Sequence, residues 1–476
     1  MYKRLSGEMP RIRIVDWVLL FVVVAAIYTF MHTDDNTTTT NDSEIEQFVW
    51  NKEDIREMCQ FLEHEVTGEE GDGWIKGNEY ENKIKLRGIN VIFRHGERSP
   101  VSKVDDEVGC LPYRESDRQQ FATYKKLAES DEFLSFLKID DALNHLKRVP
   151  ENARCESGML TAEGALQHVR LGRYFKERYS KSKLMNEENQ RIVVDVITSK
   201  YNRTLQSVLA FSSEFIYKQR ALLSPIKIKA SNYTYHCVDD FCSCTLAKKM
   251  RLQFEKEHVS FFKTELLTYA AEIQTQIQQF YSFPQFSNHI DPFQMIDISL
   301  GRYVCRRRTL PCLNDQCVTL DYFNRMINIS TTRGASMFDG QIGISRRLLV
   351  VESYAILNYL KETIEKSRRF QHTNYIKIFS GHDTTVGPML RVLGIPFVDP
   401  PHYTSRIVFE IYEHTDEGLY IRVLYNGRNR THDIRFCKDD NLKYGMCKAL
   451  AFEQFAKTGI LELAKVEKFK DLCYVE

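Results

Sequence analysis

Three short apolar runs, each ending in a polar string, give this chain its pattern. The run 89–93 leads into Arg94-His95-Gly96-Glu97-Arg98-Ser99-Pro100. The run 192–197 leads into Thr198 and, a turn later, Arg203. The run 375–379 leads into Gly381-His382-Asp383. A short, largely apolar strand implies burial on both faces of a mostly parallel sheet, where ligands sit beyond the carboxyl ends of the strands. Helical spacing follows over 204–211 and over 385–393, the latter containing Pro388, which fits best in a first turn. Thr161 is a candidate N-cap for a helix through about Tyr179, with Ala162, Leu166 and Val169 on one face. Residues 406–412 and 420–424 alternate apolar and polar, as an antiparallel pair would. Between about 222 and 349 strand signals thin, cysteine groups appear and polar-helical stretches run over 247–280. The expected architecture is therefore an α/β domain over 81–476, a Rossmann-like mostly parallel sheet flanked by helices, with a mainly helical cap inserted at about 222–349.

The N-terminus reads differently. Lys3, Arg4, Arg11 and Arg13 precede an apolar run, 14–31, broken only by Asp16 and followed by Asp34 and Asp35. About 17–20 apolar residues cross a bilayer, and a basic flank stays cytosolic. The expectation is a cytosolic tail (1–13), a transmembrane anchor (14–31) in type II orientation, and a lumenal stem (32–80). The run ends in Ile27-Tyr28-Thr29-Phe30-Met31, without the small-x-small pattern that a cleaved signal peptide requires. The Thr/Asn-rich segment 36–41 buries too little apolar surface to fold, which suits a stem.

Composition narrows the picture. Sixty-five Lys and Arg against 64 Asp and Glu give no electrostatic case for a nucleic-acid partner. Twelve cysteines, in groups at Cys237/Cys242/Cys244, Cys305/Cys312/Cys317 and Cys437/Cys447, lack the knuckle spacing of zinc sites and point to disulfides in an oxidising lumen. Sequons beginning at Asn36, Asn41, Asn202, Asn232, Asn328 and Asn429 agree with that address, although Asn202 abuts the candidate site residue Arg203.

The polar strings hold the parts needed to cleave a phosphate monoester without metal or cofactor. Arg94 and Arg98 can fork onto phosphate oxygens, and Gly96 lets the chain turn between them. His95 is the natural nucleophile, passing through a phosphohistidine that water then hydrolyses. His382 can donate to a phosphate oxygen. Asp383 can protonate the leaving oxygen and later activate water, which would favour an acidic pH optimum.

The strings resemble those of the histidine acid phosphatases. The resemblance runs from about Gly88 to the C-terminus and includes Arg94 to Pro100, Leu160-Thr161-Ala162-Glu163-Gly164, Arg203-Thr204-Leu205 and Gly381-His382-Asp383-Thr384-Thr385. It implies a Rossmann-like α/β domain with a helical cap and makes Arg203 a third phosphate ligand. It also implies His95 as nucleophile, Asp383 as proton donor, and Arg94, Arg98 and His382 as phosphate ligands. Many members carry Arg-Ser-Thr-Asp where this chain has Ile197-Thr198-Ser199-Lys200, so the resemblance carries over the phosphate cradle but not the loop details or the leaving-group side. A finer resemblance rests on the anchor and stem, two cysteine groups, residues 200–207 and Tyr425-Asn426-Gly427. It is to a Golgi subgroup that removes the 2-phosphate from xylose in the glycosaminoglycan–protein linkage region. That implies a phosphorylated xylose as substrate and a Golgi membrane location. The alternatives are a less selective lumenal or lysosomal acid phosphatase, or an inactive anchored glycan-binding protein. No feature of the sequence fixes an oligomeric state.

Overall fold

The computed structural model describes residues 57–101, 110–112, 114–151, 155–182, 184–185, 191–231, 235–261, 292–310, 312–313, 316–339 and 344–473. The expected tail and anchor, and the stem as far as residue 56, lie outside these. Among the described residues no helix is long and apolar enough to cross a membrane.

The first apolar run is the middle of β1 (Ile84–Arg94), the longest strand. The others used here are β2 (Leu137–Ile139), β3 (Arg191–Ser199), β4 (Ile226–Ser231), the small pair β5 (Cys312–Leu313) and β6 (Gln316–Cys317), β7 (Thr373–Gly381), β8 (Arg406–His414), β9 (Gly418–Tyr425), β10 (Arg428–Asn429), β11 (Leu442–Lys443) and β12 (Met446–Lys448). One sheet runs β11-β12-β9-β8-β1-β7-β3-β4-β2, with β10 beside β9. From β1 through β7, β3 and β4 to β2 every pairing is parallel. On the other side, β8, β9, β12 and β11 are all antiparallel. The sheet is thus mixed rather than mostly parallel. The alternation in β8 and β9 announced one antiparallel pair, but β10, β11 and β12 have only two or three residues each, too few to show a period.

Both faces of β1 are buried, as its apolar run implied. Ile89, Val91 and Phe93 join one core with helices α1 (Glu115–Ala128), α2 (Ala162–Tyr179) and α3 (Asn202–Phe215). Ile92 joins the other, with Phe379 and apolar side chains of α7 (Ser345–Arg369) and α8 (Asp383–Leu393). Between them in sequence lie α4 (Ala247–Phe261), α5 (Pro292–Ile298) and α6 (Leu320–Asp339). Thr161 caps α2 as expected, its hydroxyl accepting from the Gly164 amide at 2.9 Å. Pro388 is the sixth residue of α8, not in its first turn, because α8 begins at Asp383.

Two expected boundaries move. β4 falls inside the interval read as cap but belongs to the main sheet. Residues 57–80, read as stem, pack on the body: Met58, Phe61, Leu62 and Ile75 are buried, and Cys59 is bonded to Cys305. The cysteine groups pin distant segments as well as near ones. Cys237–Cys242 and Cys437–Cys447 are local, whereas Cys244 reaches Cys473, and Cys110 pairs with Cys155. No described cysteine is free.

Candidate active site

The register of the central strands brings the distant strings together. Arg94 at the end of β1 stands opposite Gly381 at the end of β7, and Thr198 of β3 stands opposite Ser380. The next amide, that of His95, donates to the Gly381 carbonyl at 2.9 Å. All three strings therefore meet at the carboxyl edge of three adjacent parallel strands. A fourth segment is held there by two glycines. A Cβ on Gly96 would lie 2.1 Å from the Gly164 carbonyl oxygen, and one on Gly164 would lie 2.2 Å from that of Glu97. The turn after β1 can seat on the first turn of α2 only because both positions lack a side chain.

His95 is buried, and its Nδ1 lies 2.7 Å from the Gly96 carbonyl oxygen. A carbonyl only accepts, so Nδ1 carries the proton and Nε2 keeps its lone pair for attack. Burial, then the charges of Arg203, Arg94, Arg98 and His382, hold the imidazole well below its usual pKa. It thus remains a neutral nucleophile at acidic pH, where a free histidine would be protonated.

Three guanidiniums surround it. Arg94 is buried beneath Tyr403, its Cζ 4.4 Å from the ring centroid, and lies 3.5 Å from Asp383 Oδ2. Its Nη1 also donates to the Pro401 carbonyl. Arg98 is paired with Asp297 of α5 at 2.7 Å and donates to the Ser99 carbonyl at 2.9 Å. Among the described residues Arg203, on the first turn of α3, makes a long 3.4 Å contact to the Gly158 carbonyl and a cation–π contact to Tyr201 at 4.5 Å. Burial first, then repulsion from Arg98, pulls its pKa down to about 10. Such a depression records a cation short of partners. Among the described residues, the buried Nε atoms of all three arginines and the Tyr403 hydroxyl have no hydrogen-bond partner. Three guanidiniums against the carboxylates of Asp297 and Asp383 leave the site net positive and rich in unmet donors.

His382 Nε2 is 2.8 Å from Ser199 Oγ, which is itself 3.0 Å from Thr204 Oγ1. The His382 amide donates to Thr385 Oγ1 at 3.1 Å, fixing the start of α8. Burial, with Arg203 next, keeps this imidazole neutral as well. Asp383 accepts from the Thr384 amide at 2.8 Å. Burial pushes its carboxyl up, but Arg94, Arg98, that amide and Arg203 outweigh it, so the group sits below the usual range. Asp383 is therefore ionised in the free protein. A phosphate bound between the arginines would cancel much of that attraction and raise it toward the acid form that proton donation needs.

The structure thus gathers His95, Arg94, Arg98, Arg203, His382 and Asp383 into one site. Sequence reasoning missed Asp297, Tyr403 and Ser199. Asp297 and Tyr403 follow no motif and reach the site only through the fold. Ser199 lies in the stretch that departs from the family pattern and, through His382, turns that departure into a contact. Among the described residues no group of three or more His, Cys, Asp or Glu side chains is placed to hold a metal ion.

Comparison with known proteins shows the family. The family model for the histidine phosphatase superfamily (branch 2) matches residues 85–426. 2-Phosphoxylose phosphatase 1 of Xenopus tropicalis is 24% identical over 424 residues, covering 82% of this chain and 78% of the relative. The Homo sapiens protein of that name is 24% identical over 371 residues, covering 75% and 73%. A probable acid phosphatase of Schizosaccharomyces pombe is 22% identical over 388 residues, covering 77% and 81%. Among solved structures, a phytase from D. castellii superposes with a TM-score of 0.50 at 14% identity, covering 88% of this chain and 87% of its own, a likeness of fold.

Proposed function

Because the chain belongs to branch 2 of the histidine phosphatase superfamily and is a phosphatase of the histidine acid type, we propose that it removes the 2-phosphate from xylose in the glycosaminoglycan–protein linkage region, in support of proteoglycan synthesis. The observation that carries the chemistry is a neutral His95 with Nε2 free, set among three arginines with unmet donors. Nε2 attacks phosphorus in line. The P–O bond to the sugar breaks, and Asp383 gives its proton to the departing alkoxide. Asp383 then takes a proton from water as that water attacks the phosphohistidine, which releases inorganic phosphate and frees Nε2. Arg94, Arg98 and Arg203 hold the non-bridging oxygens throughout, as positioning and electrostatic stabilisation require.

The substrate assignment is supported by the relatives named for phosphoxylose. A type II Golgi membrane protein with a lumenal catalytic domain is supported by the basic flank and apolar run at 14–31 and by the disulfides of the body. The test compares kcat/KM for a xyloside 2-phosphate carrying the linkage sugars with that for a simple aryl phosphate. A marked preference for the glycan is expected. Equal efficiency on both would favour the second reading, a broader lumenal acid phosphatase, for which the S. pombe relative speaks. Protease protection of the body in sealed microsomes, with the N-terminus accessible outside, checks the topology.

A further inference from the structure

Tyr201 is 44% exposed at the rim of a site whose other aromatic neighbour, Tyr403, is buried. It occupies the N-cap position of α3 and its side chain makes no capping hydrogen bond. That position favours Ser, Thr, Asp or Asn, so tyrosine is a poor choice for the helix. Its main chain is nonetheless fixed. The amide donates to the Ser199 carbonyl at 2.9 Å, and the carbonyl accepts from the amides of Thr204 and Leu205, both at 3.2 Å. The ring touches two groups of the phosphate site. The Arg203 guanidinium lies 4.5 Å from its centroid, and the His382 ring stands perpendicular to it at 5.1 Å.

These contacts place a rigidly mounted, solvent-facing aromatic ring beside His382 and one residue from Asp383, the group that protonates the leaving oxygen. The leaving group must pass this side. A pyranose presents a flat face of weakly positive C–H groups, which packs on the negative face of an aromatic ring. We propose that Tyr201 is the platform on which the phosphate-bearing sugar ring lies, and that it selects a pyranose leaving group over a small alkyl one. This rests on the sugar-phosphate reading above. It explains a residue that serves neither the helix cap nor the core.

The competing role is structural: the ring would only prop Arg203 and His382, and its loss would then weaken every phosphate ester alike. The test measures kcat/KM of the full-length protein for benzyl β-xyloside 2-phosphate and for ethyl phosphate, in wild type, Tyr201→Phe and Tyr201→Ala. Tyr201→Ala is expected to lose about tenfold more on the xyloside phosphate than on ethyl phosphate, with the difference mainly in KM. Tyr201→Phe, which keeps the face and loses the hydroxyl, should hold the wild-type ratio within about twofold. Equal losses on both substrates in Tyr201→Ala overturn the platform, and so does a ratio change in Tyr201→Phe as large as that in Tyr201→Ala. The wild-type preference for the linkage glycan over an aryl phosphate judges the xylose reading, and the change in the xyloside-to-ethyl ratio on Tyr201→Ala judges the platform, so the two fail on different measurements.

Discussion

Two buried charge clusters flank the central strands, and they differ in how their polar atoms are met. Around Glu410 of β8, the carboxylate accepts from the Tyr179 hydroxyl at 2.7 Å, the Tyr412 hydroxyl at 2.9 Å, Arg422 at 3.1 Å and the Gly71 amide. Nearby, Glu70 accepts from the Tyr174 hydroxyl at 2.7 Å and from Arg406 at 2.6 Å. Around His95, by contrast, the Nε atoms of three arginines and the Tyr403 hydroxyl meet no acceptor among the described residues, against the single Nε of Arg422 in the Glu410 cluster. A cluster whose carboxylates are filled by protein groups is finished when the chain folds. A cluster with surplus cations is finished only by an anion from outside. That difference, rather than burial or charge alone, separates structural polarity from a binding site.

The largest consequence is at the nucleophile. His95→Ala should abolish phosphate release, a loss of about 10³-fold or more, while leaving the thermal midpoint close to that of wild type. Wild type quenched in turnover should carry acid-labile, alkali-stable phosphate on histidine, and the variant none. Activity that survives in His95→Ala would remove it as nucleophile. At the filled cluster the pattern reverses. Glu410→Ala takes the acceptor from the Tyr179 and Tyr412 hydroxyls and the Gly71 amide, leaves Arg422 to Glu69, and should cost about 3 kcal/mol of stability in denaturant titration. The protein that remains folded should turn over normally. A stability loss under about 1 kcal/mol would mean that water replaces the carboxylate and that the cluster is not the anchor described here.

Arg203 tests the surplus directly, because the same residue should hurt stability and help binding. Arg203→Lys loses the bidentate fork and is expected to lower kcat/KM about 10²-fold. Arg203→Met, which removes a poorly partnered cation, should raise the thermal midpoint of the free protein. Inorganic phosphate at about a hundred times its Kd should stabilise wild type by about 2.7 kcal/mol and this variant much less. A variant less stable than wild type in phosphate-free buffer would contradict the reading of Arg203 as a poorly partnered cation.

The sequence foretold the filled and unfilled parts of the molecule unequally, for physical reasons. Residues at the ends of apolar strands could be assigned because a buried strand has few places to put a charge except its carboxyl edge. Thus Arg94, His95, Asp383 and, with the family resemblance, Arg203 were all found. Asp297 and Tyr403 were not, because each reaches the site across a tertiary contact that no local period encodes. The Glu410 cluster was missed for a related reason. Glu410 and Arg422 alternate along β8 and β9 as solvent-facing residues would, yet the chain at 69–71, read as part of the stem, folds over them. A polar position on an alternating strand shows its face, not what covers that face.

Glu97 lies between these two kinds of cluster and gives the smallest but most diagnostic effect. It sits in the same string as His95, but its backbone binds α2: the carbonyl accepts from the Thr161 amide at 3.0 Å and the amide donates to Gln167 at 2.8 Å. Its carboxylate is 3.3 Å from Arg306 Nε, near enough for attraction but without a hydrogen bond. Glu163 shares that arginine at 3.9 Å and has Arg307 at 3.8 Å. Burial therefore wins over Arg306, and Glu97 is pushed up from 4.5 to about 8. With a folded pKa above the unfolded one, the folded state holds the extra proton. Its contribution is complete below about pH 4.5 and is lost as pH rises through about 8. Glu97→Gln fixes the neutral form. Denaturant midpoints should therefore match wild type near pH 5 and exceed it near pH 8, by about 1 kcal/mol, because Glu163 can take up part of the proton. An identical pH slope in both proteins would show that Arg306 holds Glu97 as a carboxylate, making it a filled site like Glu410. A flatter slope would make the turn after β1 a structure that is most stable at the acidic pH where His95 remains neutral.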